Sequence, residues 1–191
     1  MTKQEYPTLI IVRGLPGSGK TYVAQKLIQE FARDEIIMLD PDVVDQKSSE
    51  YIAHVKQATA DGVDPKLHLY RFLRAQAYHG IAACKTIVWN QPFTNLEIFN
   101  KMMANMQLQA TEHNVDLKVL VVEVSTDPTV AKQRVDARKK SGGHGPSDAT
   151  FDRFAHDYHS FADAGYKTVS IDGVAAVEDS VVTVLAAIKN L

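Results

Sequence analysis

Among its 191 residues the sequence has one cysteine, one tryptophan and no apolar stretch approaching the roughly 20 residues of a bilayer-spanning helix. Lone Cys84 excludes an internal disulfide framework, and membrane insertion by a long apolar helix is excluded as well. An excess of one charge is also missing. Lys and Arg number 21 against 23 Asp and Glu, a net charge of −2, so bulk attraction to the phosphates of a long duplex is not expected. The first residues carry neither the basic start nor the apolar run of a secretory leader, and with the single cysteine this reads as a cytoplasmic chain.

What is present is a globular composition. Hydrophobic residues make up 45% and charged residues 23%, outside the range of disordered chains. The length suits a single domain over residues 1–191, with no internal repeat, low-complexity tract or linker.

Residues 8–12 (TLIIV) form a β-branched run that ends in glycines, the pattern of a strand buried on both faces. Residues 20–33 place Val23, Ala24, Leu27, Ile28, Phe31 and Ala32 at helical spacing. Residues 36–39 predict a second strand, and 43–60 a weak helix. Asp64-Pro65 predicts the cap and first turn of a helix to about residue 83. Residues 85–89, 117–124 and 167–171 read as further strands, with helices over 94–113, 127–140, 147–164 and 177–191. Asp127-Pro128 and Ser147 supply two of the caps. Strands alternating with helices predict a parallel sheet covered on both faces.

Gly14-Leu15-Pro16-Gly17-Ser18-Gly19-Lys20-Thr21 fits the G-x-x-x-x-G-K-[ST] phosphate loop without a gap, between a predicted strand and a predicted helix. Its amides can wrap a phosphate, the helix N-terminus adds partial positive charge, and Lys20 adds a full one. Thr21 offers a hydroxyl to Mg²⁺. Neither turn geometry nor packing calls for Lys-Thr, so nucleotide binding follows. No Asn-Lys-x-Asp segment of the kind that reads guanine is present.

Asp40 and Asp42 stand just past the second strand, at the sheet edge that carries the loop. A carboxylate there can accept the proton of an attacking hydroxyl or orient Mg²⁺ through water; alternatively, Asp40-Pro41 caps the next helix. Arg134 and Arg138 lie four apart before the glycine-rich loop 141–146, either directed inward to a transferring phosphoryl group or forming a solvated basic helix end.

Phosphate loop (RGLPGSGKT), strand-end acids (MLDPD) and lid (QRVDARKKSGGHGP) together resemble the zeta-toxin and polynucleotide-kinase-like branch of P-loop kinases, over about residues 8–172. The resemblance implies a five-stranded sheet of order 2-3-1-4-5, a helical acceptor-side insert over 45–83 and a lid over 127–163. It implies ATP and Mg²⁺, with Thr21 and Asp40 on the metal side. Asp42 would be general base, Arg134 would pack on the adenine, and Arg138 would reach the phosphates. The implied activity is transfer of the γ-phosphoryl of ATP to a hydroxyl of a small-molecule or nucleotide-like acceptor. The alternatives are a nucleotide-dependent switch acting through a protein partner, and a toxin-like kinase of a cell-wall precursor with a cognate antitoxin. The chain departs from the branch at Asn90, where relatives often have an acid, and in a lid one residue shorter; the sugar-nucleotide substrate is not carried over.

Weaker signals have plainer readings. Asp152, His156, His159 and Asp163 fall at helical spacing that suits a metal, or a solvated polar face. Met102, Met103 and Met106 read as core, Cys84 as a small apolar residue beside a strand, and Trp89 as core or a stacking platform. His144 has no packing role in a glycine-rich lid and points to nucleotide or acceptor. Lys56, Lys66, Arg71 and Arg74 read as holders of an anionic acceptor or as ordinary surface charge.

Overall fold

A computed structural model describes residues 6–191. The leader expectation concerns in part residues 1–5, outside the described residues. Five strands, β1 (Thr8–Arg13), β2 (Ile36–Leu39), β3 (Thr86–Asn90), β4 (Lys118–Ser125) and β5 (Thr168–Asp172), pair in parallel in the order β2-β3-β1-β4-β5. That is the expected 2-3-1-4-5 sheet. Every residue of β1 and β3 is buried, because helices cover both faces and a central parallel strand has no wet side.

Helices α1 (Lys20–Ile28) and α7 (Val177–Ile188) cover one face, packing Val23, Leu27, Val181 and Val184 on Ile10, Val12 and Val122. Helices α3 (His68–Ala82) and α4 (Leu96–Glu112) cover the other with Leu73, Ile81, Phe99 and Met106. Met102, Met103 and Met106 are core residues, and so is Trp89. Helix α2 (Ser49–Ala60) precedes α3. Helices α5 (Pro128–Lys140) and α6 (Asp148–Asp157) form a third, smaller core in which Leu15 of the glycine-rich loop meets Ala131, Val135 and Phe151. Among the described residues no helix is long and apolar enough to cross a membrane.

Several boundaries differ from the sequence reading. Helix α1 ends at Ile28, so Phe31 reaches the core from the following turn. Helix α2 starts at Ser49, capped by Ser48 rather than by Asp40: the Asp40 carboxylate accepts the Asp42 amide at 2.8 Å in a local turn. Asp64 caps a single 3-10 turn, Pro65–Leu67, that leads into α3. Cys84 is not core. It is half-buried in the left-handed conformation, φ +52°, where α3 closes with the Lys85 amide on Gly80 O at 2.9 Å.

The largest difference is the helix expected over 147–164. It stops at Asp157, Tyr158 is extended, and Phe161 enters the α4 core while Phe151 stays in the α5–α6 core. One apolar stripe thus serves two cores, and a straight helix cannot reach both. The break parts His159 and Asp163 from Asp152 and His156, and no metal-holding group of three or more His, Cys, Asp or Glu occurs among the described residues.

Candidate active site

The loop between β1 and α1 turns where side chains are absent. Gly17 has φ +83°, and a Cβ on it would lie 2.2 Å from the Ala131 carbonyl, so only glycine lets α5 pack against the loop. Gly173, just after β5, approaches equally closely: its Cβ would lie 2.0 Å from Ser18 O and 2.2 Å from Thr126 Oγ1. Thr126 donates to Ser18 O at 3.0 Å, tying the end of β4 to the loop. The sequence analysis assigns no role to Gly173 and Thr126; the signal there is a glycine and a threonine two positions past predicted strands.

No side chain caps α1, since Gly19 ahead of it has none to offer, so the first-turn amides keep their dipole for a ligand. Ser18 Oγ is buried in the loop with no protein partner. The Lys20 ammonium makes a single long hydrogen bond, 3.4 Å to Leu15 O. Burial pushes Lys20 down to about 8, against the pull of Asp42 and then Asp40, with Arg138 lowering it further. An orphaned hydroxyl, an uncapped helix and an underused cation fit a polyphosphate.

Asn90, ending β3, donates through Nδ2 to Asp40 Oδ2 at 2.6 Å and to Thr21 Oγ1 at 3.0 Å. One neutral amide therefore holds the two groups expected on the metal side. Asp40 is buried, and a carboxylate beside a hydroxyl suits Mg²⁺, which takes few protein oxygens and completes its shell with water and phosphate. When bound, that ion would neutralise charge on the phosphate oxygens.

Asp42 is exposed, two residues past Asp40. His144 of the 141–146 loop brings Nε2 to 3.6 Å from Asp42 Oδ2. Arg134 donates through Nη1 to Gly173 O at 3.0 Å and Gly17 O at 3.3 Å, at the rim of the loop, and Arg138 is near enough to Lys20 to affect its ionisation. Arg134, though exposed, is thus bonded to the loop rim. A cleft of about 250 Å³ between β2 and helices α2 and α3 is lined by Asp40, Asp45, Ser48, Glu50, Phe72 and Gln76 among others. Lys56, Lys66, Arg71 and Arg74 do not line it.

A family model described as an AAA domain matches residues 9–161. The chain belongs to that family. The match runs from β1 past α6 and holds the phosphate loop, Asp40, Asp42, Arg134 and Arg138. No curated protein matches it in sequence. Among solved structures it is similar to a gluconokinase from Sinorhizobium meliloti, at 15% identity and TM-score 0.57, covering 97% of this chain and 93% of that one. It is similar to a deoxyadenosine kinase from M. mycoides at 11% identity and TM-score 0.53, covering 96% and 98%. It is also similar to the PezAT toxin–antitoxin system of Streptococcus pneumoniae at 13% identity and TM-score 0.61, covering 88% and 68%. At such identities the likeness is one of fold, a P-loop kinase fold.

Proposed function

We propose that this protein is an ATP-dependent phosphotransferase acting on the hydroxyl of a small-molecule or nucleotide-like acceptor. The observation that carries the reading is the convergence on the phosphate loop's Lys20: Asp42 and Asp40 past β2 act on its buried ammonium, and His144 of the 141–146 loop meets Asp42. A binding module that merely holds a nucleotide does not call for a lid that meets a carboxylate beyond the phosphates.

In this reading Lys20 and the amides from Gly14 to Thr21 hold the β- and γ-phosphates. Thr21 and Asp40, steadied by Asn90, hold the magnesium ion. Asp42 takes the proton of the acceptor hydroxyl as that oxygen bonds the γ-phosphorus; the bond from the β,γ-bridging oxygen to that phosphorus breaks, and ADP leaves. Arg138 meets the charge spread over the transferring group, and Arg134 secures the lid base beside the adenine side. Closure keeps water from taking the phosphoryl group. A lone Cys84 suits the reducing cytoplasm.

The experiment is ADP release at saturating ATP with and without a panel of sugar, sugar-acid and nucleoside acceptors. Acceptor-dependent turnover that Lys20→Ala and Asp42→Asn each abolish is the expected result. Slow turnover indifferent to every acceptor, but stimulated by a protein partner, would replace this reading with the nucleotide switch. Growth arrest on expression, lost in Asp42→Asn, would mark a toxin-like kinase.

A further inference from the structure

Arg13 is fully buried one residue before the phosphate loop. Along β1, Leu9 and Ile11 point to the α3 and α4 face, and strand alternation turns Arg13 onto the same face. The parallel register places it beside Glu123 of β4. Its Nη1 donates to Glu123 Oε1 at 2.6 Å and to His159 O at 2.8 Å; Nε and Nη2 donate to Phe93 O at 3.2 and 3.0 Å. The guanidinium lies 3.6 Å from the Phe161 ring centroid and 4.2 Å from that of Tyr158. Glu123 also accepts the Phe161 amide at 2.7 Å and the Ser160 hydroxyl at 2.8 Å.

Apart from the pair itself, these bonds end in connecting segments. Residues 158–161 are the stretch where the expected helix breaks after α6, and Phe93 lies in the segment after β3. Phe93 has φ +44°, a sparsely populated conformation for an aromatic residue, and two donors converge on its carbonyl. Replacing a buried ion pair by apolar residues of similar volume is often neutral for stability, so stability alone does not account for these charges. What they do supply is direction. A planar fork with donors on three edges aligns the root of the phosphate loop, the exit of β3 and the return of the lid arm at one point.

We propose that Arg13 is a positioning residue: with Glu123 it pins residues 158–161 as the pivot of the α5–α6 arm, so that Arg134, Arg138 and His144 arrive at the phosphate crevice in one register. Arg13 itself does not touch the nucleotide. The inference rests on the phosphotransferase reading, in which this arm closes over the substrate.

Energy transfer from Trp89, the chain's one tryptophan, to a dansyl label on Ser141→Cys in a Cys84→Ala background reads the distance from lid to sheet. In the labelled parent, a nonhydrolysable ATP analogue with Mg²⁺ should shorten that distance and narrow its distribution. In the Arg13→Met/Glu123→Met variant the cooperative melt should persist and the distribution should stay broad with nucleotide present. The KM for ATP should rise about tenfold, with a smaller change in kcat. A folded variant whose energy transfer and KM equal the parent's overturns the proposal and leaves the phosphotransferase reading intact. A parent with acceptor-dependent turnover but no nucleotide-dependent distance change also overturns the proposal alone, whereas a parent lacking both overturns both. Should the methionine pair fail to fold, Arg13→Lys keeps the charge, gives up the fork to Phe93 and His159, and is read by the same outcomes.

Discussion

His144 Nε2 stands 3.6 Å from Asp42 Oδ2, joining the loop after α5 to the loop after β2 across the mouth of the phosphate crevice. The two side chains are 75% and 63% exposed, so water screens the contact and it adds little to stability. A weak latch suits the proposed phosphotransferase, whose 141–146 loop would have to open at each turnover. His144→Ala should leave the melting temperature unchanged and raise the acceptor KM severalfold, measured by steady-state kinetics with the acceptor varied. An unchanged KM would remove His144 from the acceptor side.

Lys20 links charge, stability and binding. In the nucleotide-free fold it loses its proton near pH 8, against 10.5 when unfolded, because burial outweighs the two aspartates. Between those values the unfolded chain binds more protons, so this group's contribution to stability rises with pH through that window, and its full cost applies below about pH 8. The cost is roughly 3 kcal/mol at about 1.4 kcal/mol per pH unit. Lys20→Met should therefore stabilise the protein near neutral pH, with the gain fading between about pH 8 and 10.5 and gone above that window, as followed by urea unfolding across pH. The same variant should show no nucleotide uptake by calorimetry. For the parent at pH 8 to 9, calorimetry in buffers of different ionisation enthalpy should show a proton taken up on binding, since polyphosphate restores the charged form.

Gly17 couples the loop to the lid base. A methyl group there would lie 2.2 Å from the Ala131 carbonyl on a residue at φ +83°. Gly17→Ala should cost about 2 to 4 kcal/mol in denaturant unfolding, from overpacking plus left-handed strain. Nucleotide affinity should fall with it. A variant as stable as the parent would show that α5 does not rest on the loop in solution.

Cys84 occupies a position that favours glycine, left-handed at the end of α3 and away from the crevice. Cys84→Gly should raise stability by about 0.5 to 1 kcal/mol by removing the Cβ clash of that conformation. Urea midpoints with an unchanged slope would report it, and acceptor phosphorylation should stay at the parent's rate.

The elements legible in the residue order share a short-range cause. Asp64, Asp127 and Ser147 cap the turns they were expected to cap, accepting amides two or three residues on, because a cap needs only its own neighbours. The phosphate loop was equally visible, since eight consecutive residues carry its chemistry. The stripe over 147–164 misled for the complementary reason: Phe151 and Phe161 both point to apolar cores, and helical periodicity does not say that the cores are different. Asn90 stood out only as a missing acid; its hold on Asp40 and Thr21 spans 50 and 69 positions of chain.

By itself, the order of residues determined that this chain builds a parallel α/β sheet around a phosphate loop, because strand burial and glycine-rich turns are settled within a few residues. Only the tertiary structure decided how that loop is braced. Arg13 and Glu123, 110 positions apart, are unremarkable charges until β1 and β4 lie side by side out of water. There the guanidinium donates to Glu123, His159 and Phe93, and so ties β1 to the segments after α6 and β3.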